Sequence, residues 1–99
     1  MNRSLVLRSQ AEEDLTAAAL WYEEQLLGLG REFLDEADKV FRQITHFPES
    51  HPARHRHFRR ALLRRFPFGV FYAVEPDNIV VLTVIHLAQD PTELTRRLD

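Results

Sequence analysis

The chain has 99 residues, 44% apolar and 28% charged, with a formal net charge of −2 and no cysteine. These values argue against disorder, disulfide scaffolding and thiolate chemistry, and they suit a reducing cytoplasm. The length buries roughly 65% of the unfolded surface, enough for one domain over residues 1–99, and no run approaches the roughly 20 apolar residues of a membrane span.

The first element is a short strand at Leu5–Leu7. Ser9 followed by Glu12 has the spacing of a capping box, and Leu15, Ala18, Ala19, Tyr22 and Leu26 then recur at helical intervals. A helix is therefore expected over Ala11–Leu27, ended by Gly28 as a left-handed cap. A second helix follows from Arg31 to His46, with Phe33, Ala37, Val40, Phe41 and Ile44 on one face, and Pro48 stops it. Two amphipathic helices on a short turn make an antiparallel hairpin. Trp21, Tyr22, Phe33 and Phe41 are expected to seal the helix–sheet core, and the paired acids Glu12/Glu13 and Glu23/Glu24 to be a solvated face.

The loop "PESHPARH" leads to three strand patterns, "FRRALLRRF", "FGVFYAV" and "NIVVLTVIHL", the last two joined by a turn at Pro76–Asn78. Residues Ile79–Val84 are apolar apart from Thr83, which marks a central strand covered on both faces. Its neighbours are then the middle strand and, by elimination, the N-terminal one. The expected fold class is α+β: an N-terminal strand, an antiparallel helical hairpin, then a three-stranded antiparallel meander, forming one small sheet.

Charge is unevenly spread. Residues 10–38 hold nine acids and one base, whereas residues 39–65 hold eight bases and one acid, so the segments carry 1 − 9 = −8 and 8 − 1 = +7. Either the two segments pair internally or a charged partner is implied. Six arginines crowd the stretch "RHRHFRRALLRR", residues 54–65, although like charges side by side on a strand repel. Strand alternation puts Arg60 and Arg64 on one face with Phe58, Leu62 and Phe66, and Arg59 and Arg65 on the other with Ala61 and Leu63. Neither face is purely polar, so about half of the six are expected to be structural or solvated and the rest to form a recognition surface. His51, His55 and His57 alternate with arginines and Pro52, which opposes a divalent cation. They read as a basic loop rather than a metal site.

The strings "WYEEQLLGLGREFLDE", "FPESHP" and "RRALLRRFPFGVFYAVEPDNIVVLTVIH", closed by Asp90-Pro91, resemble the RelE/ParE superfamily of toxins from bacterial toxin–antitoxin pairs, over about Leu5 to Pro91. The resemblance implies the same strand, hairpin and meander, a growth-arresting activity, and a cognate antitoxin that wraps the toxin. RelE-like members cleave messenger RNA on the ribosome without a metal. Their functional arginines and C-terminal tyrosine would fall here on Gly69, Gln89 and Thr95, so three participants are missing. ParE-like members instead poison DNA gyrase by binding it, and the helical hairpin and "RRFPFGVFY" resemble that branch more closely. Many of those relatives carry an arginine where this chain reads "HLAQDP", which leaves a non-toxic, partner-binding member of the family as a third reading.

The antitoxin- or target-binding residues are expected to be Arg56, Arg59, Arg60, Arg64, Arg65 and His86, acting with an apolar groove between helices and sheet. No catalytic residue, cofactor or metal ligand is assigned.

Overall fold

A computed structural model describes residues 3–99. Strand β1 (Ser4–Leu7) leads into helices α1 (Ser9–Gln25) and α2 (Leu29–His46). Strands β2 (Ala53–His55), β3 (Phe58–Leu62), β4 (Phe68–Val74) and β5 (Asn78–His86) follow, then helix α3 (Pro91–Leu98). The sheet order is β1-β5-β4-β3-β2, with β1 parallel to β5 and the other pairings antiparallel.

The apolar spacing of the hairpin explains its packing. Ala11, Ala18, Phe33, Val40 and Ile44 are buried against Ala61, Leu63, Phe66, Val70, Tyr72, Ile79, Val81 and Val84 on one face of the sheet. Rings of Tyr22, Phe33, Phe66 and Phe68 interlock at one end of this layer, with Tyr22–Phe66 centroids 4.8 Å apart. The opposite face gathers Phe58, Phe71, Ala73, Leu82 and Ile85 under Leu94 and Leu98 of α3. β5 is thus covered on both sides and paired on both edges along its first half, as its unbroken apolar run predicts.

Several expectations are corrected. The sheet has five strands rather than four, because Ala53–His55 of the "PESHPARH" loop pairs with Phe58 and Arg59. "FRRALLRRF" is a strand only to Leu62. The chain then turns, so Phe66 joins Ala61 and Leu63 on the hairpin face instead of sharing a face with Phe58.

α1 begins at Ser9 itself, with Arg8 as an N-cap that makes no side-chain cap, so the capping box does not form. Trp21 is 56% exposed rather than core. Glu23 is not merely solvated: its carboxylate accepts the Gly28 amide at 2.9 Å and the Gly30 amide at 3.1 Å, holding the start of α2. Gly28 takes φ +91°, the left-handed turn that was expected there. Helix α3 was not expected at all.

Candidate functional site: a basic groove at the β3 edge

The six arginines separate according to what they touch. Arg59 is half-buried and donates to the main-chain oxygens of Glu49 (3.2 Å) and His51 (2.6 Å). It pins the loop whose Pro48 oxygen accepts the hydroxyl of buried Tyr72 at 2.7 Å, and burial pushes that phenol's pKa up. Arg65 reaches across to Glu32 on α2 at 2.7 Å while its own amide bonds Glu36, and its guanidinium lies 5.4 Å from the Phe66 ring centroid. Arg56, held at φ +54°, pairs with Asp99 at 3.0 Å. These three have structural work to do.

The other three do not. Among the described residues, Arg54, Arg60 and Arg64 have no carboxylate within salt-bridge distance. All three line one hollow of about 450 Å³, together with Gln43, His51, Pro52 and Leu62. A second hollow of about 570 Å³, between α2 and β3, shares Gln43, Leu62 and Arg64 with the first and continues it past Glu36, Lys39, Val40 and Arg65. The two form one groove along the edge of the sheet.

Leu62, 46% exposed, gives the groove an apolar floor. Arg60 enters from the sheet face. Its stem lies over Gly69, where a Cβ would come within 3.3 Å of Arg60 Cδ, and its Nε is buried without a partner. Gly69 thus serves the site by being small, so the position has a use here other than supplying charge.

His86 ends β5. Its Nδ1 accepts the Ala88 amide at 3.0 Å, which leaves the proton of the neutral ring on Nε2, and its ring meets Phe68 edge-on. It lines a smaller hollow of about 170 Å³ with Arg60, Phe71 and Gln89. Thr95 is exposed on α3. The candidate residues therefore divide in three: Arg60 and Arg64 face the groove, Arg65 sits at its rim, and Arg56, Arg59 and His86 make other contacts. Arg54, which is not in the expected set, belongs to the groove. Among the described residues no group of three His, Cys, Asp or Glu side chains could hold a metal ion, and no helix is long and apolar enough to cross a membrane.

The internal pairing of acidic and basic segments is realised only in part. Arg42–Asp38 and Arg65–Glu32 are the ion pairs joining them among the described residues.

A different ionic cluster joins α1, β5 and α3. Asp14 of α1 is 8% exposed and its carboxylate accepts the Thr83 hydroxyl (2.5 Å), the Val84 amide (2.9 Å), Gln10 Nε2 (2.8 Å) and the Arg97 guanidinium of α3. β1 stops opposite Val81, so the second half of β5 lacks a strand on that side. Asp14 satisfies the exposed edge there, as a buried main-chain donor requires. Arg97 also pairs with Glu93 at 2.7 Å. Arg96 and Arg97 together lower the Glu93 pKa to about 2 from its ordinary 4.5. Burial works against the charge on Arg97, but its bonds to Glu93 and Asp14 outweigh that and its pKa is raised. The sequence signal for α3 was available: Asp90 caps Thr92 at 2.7 Å and Pro91 stands at the first turn.

A family model described as the ParE toxin of the type II toxin–antitoxin system, parDE, matches residues 5–91. Among solved structures, the chromosomal ParDE toxin–antitoxin system from P. aeruginosa is similar at 21% identity with a TM-score of 0.64, covering 86% of this chain and 96% of that one. The toxin–antitoxin complex RelBE2 from Mycobacterium tuberculosis is similar at 19% identity and 0.59, covering 90% and 95%. At these identities the likeness is one of fold. No curated protein matches. The family match spans β1 to the start of α3, and the chain therefore belongs to the ParE toxins of type II toxin–antitoxin systems.

Proposed function

We propose that the chain arrests bacterial growth by binding DNA gyrase in the cytoplasm, as a ParE-like toxin of one domain, and that a cognate antitoxin neutralises it at the basic groove. The observation that carries this reading is the convergence of Arg54, Arg60 and Arg64, none of them in an ion pair among the described residues, on one groove of a ParE-family chain. The two similar structures are titled as toxin–antitoxin assemblies, which supports an antitoxin partner. Guanidinium forks recognise oxyanions bidentately, so such a surface is suited to holding a partner. Cleaving RNA through a 2′-hydroxyl also needs a proton acceptor and a proton donor. Gly69, Gln89 and Thr95, at the positions that resemble RelE-type functional sites, transfer no proton near neutral pH.

A second reading, a ribosome-dependent endoribonuclease acting on messenger RNA, draws on one feature. Arg60 and His86 line the same hollow, placing a cation beside an imidazole, the side chain that most often serves as a general acid or base. Induced expression of the chain alone, with pulse labelling of DNA and protein synthesis, separates the two. Binding to gyrase predicts that DNA synthesis fails first while transcripts stay whole. Prompt loss of protein synthesis with cut messages, abolished by His86→Ala, would establish the ribonuclease instead. Unimpaired growth would refute both and leave a non-toxic, partner-binding member of the family.

A further inference from the structure

Helices α1 and α2 lie in one layer but treat their outward faces differently. Among its large apolar residues α2 exposes only Leu34, and that by 39%. α1 leaves Leu20 62% exposed beside the exposed Trp21. Glu13, Ala17, Leu20, Trp21 and Glu24 recur at intervals of three and four, so they share one outward face of α1, and all five are exposed. The Trp21 ring stands edge-on to Tyr22, with 5.1 Å between centroids. A hollow of about 240 Å³ adjoins this stripe between α1 and the end of β5, and Ala17 lines it. Apart from aliphatic side chains and Phe68, its lining is His86, Gln89 and the bonded pair Asp14–Arg97. A helix that buries one side and keeps a second apolar stripe in water is suited to a further partner.

The charge around the stripe names that partner's chemistry. Glu13 and Glu24 bound it, and neither they nor the adjacent Glu12 forms an ion pair among the described residues. No lysine or arginine lies within the stripe, and Arg97, the one cation of the hollow, is met by Asp14 and Glu93. At about 1.5 Å of rise per residue, the Cα atoms of Glu13 and Glu24 stand roughly 16 Å apart. We propose that the outer face of α1 holds a basic amphipathic helix of a protein partner. Its aliphatic face covers Leu20 and Trp21 and places one side chain in the hollow, while its cations meet Glu13 and Glu24. A second copy docked by the same face would set these acids against each other, and anionic lipid or nucleic acid would meet the same repulsion. The surface shares no residue with the groove at the β3 edge and is independent of the growth-arrest reading.

The test uses the purified full chain and a labelled, tryptophan-free helical peptide with leucines at its centre and lysines eleven residues apart. The same peptide with glutamates for the lysines is the comparison. Trp21 is the only tryptophan, so its emission reports the contact. Binding of the lysine peptide is expected to move that emission to shorter wavelength. Leu20→Ala should weaken binding by about tenfold, and Glu13→Gln with Glu24→Gln by about fivefold. Glu49→Gln, in the loop after α2, should change it by less than about twofold. All four side chains are exposed, and circular dichroism of each variant confirms the fold. The assignment is overturned if the lysine peptide does not bind, or if Trp21 emission is unchanged at saturation. It is equally overturned if the glutamate peptide binds as tightly, or if Glu49→Gln weakens binding as much as the Glu13 and Glu24 changes do. Self-association of the chain that Leu20→Ala abolishes would give the face to a second copy and overturn it too.

Discussion

The two ends of the sheet use arginine in opposite ways. Where β1 stops short, Arg97 comes over from α3 and is consumed by Asp14 and Glu93, sealing the half-uncovered β5 with a network in which Asp14 is almost wholly buried. Where β2 stops short, at the other side, Arg54, Arg60 and Arg64 stand over the uncovered part of β3 and meet no acid among the described residues. Both ends leave strand edge behind, and an unprotected edge invites pairing with another chain. One is closed from within. The other is left open and charged, a feature that discourages promiscuous strand addition.

Breaking the closed end should have the largest effect on stability. Arg97→Ala leaves the Asp14 carboxylate buried with hydrogen bonds but no cation, at a cost of about 3 kcal/mol. Thermal unfolding should show the loss, with growth arrest reduced only as far as the folded fraction falls. Arg59→Ala should come next, at about 1.5 kcal/mol, because two main-chain oxygens of the 49–51 loop lose a charged donor. Hydrogen exchange in that loop should quicken while the rest of the sheet stays protected.

The closed end also carries a pH signature. Glu93 has a folded pKa near 2 against an ordinary 4.5, so its contribution is complete above about pH 4.5 and is lost as pH falls toward 2. Melting temperatures across that window should decline less steeply in Glu93→Gln than in the parent chain.

The smallest stability effects belong to the open end. Arg54→Gln and Arg64→Gln should change unfolding free energy by less than about 0.5 kcal/mol, since each side chain is exposed and bonded to nothing among the described residues. Gly69→Ala sharpens the comparison. It should leave the fold in place but lift the Arg60 stem from the sheet, weakening partner binding without removing a charge.

How far the sequence revealed this division depends on the range of the interactions involved. The hairpin and the apolar run of β5 follow from periodicities of 3.6 and 2 that a single segment contains, and both elements stand where the pattern puts them. β2 is three residues long and carries no such pattern, so only its pairing reveals it. The end of β3 at Leu62 is set by the buried contacts of Phe66 on the far side of a turn, which alternation within the strand cannot foresee. Helix α3 is signalled by Asp90-Pro91, a cap and a first-turn proline, but its eight residues are too few for a helical period to stand out. The arginines were harder still. Arg56, Arg59 and Arg65 differ from Arg54, Arg60 and Arg64 through partners 8 to 43 positions away, such as His51, Glu32 and Asp99, and no local pattern separates the two sets. Asp14 shows the same limit, since its partners Thr83 and Arg97 lie 69 and 83 residues along the chain.

The division itself can be measured directly by changing each of the six arginines to glutamine in turn and recording two quantities for every variant, the unfolding midpoint and the retention of the cognate antitoxin. If pairing decides role, Arg59 variants lose stability and keep the partner, Arg56 and Arg65 variants change little in either, and Arg54, Arg60 and Arg64 variants keep their midpoint and lose the partner. Partner loss spread evenly over all six, or confined to Arg56, Arg59 and Arg65, would contradict the assignment of the open end to recognition.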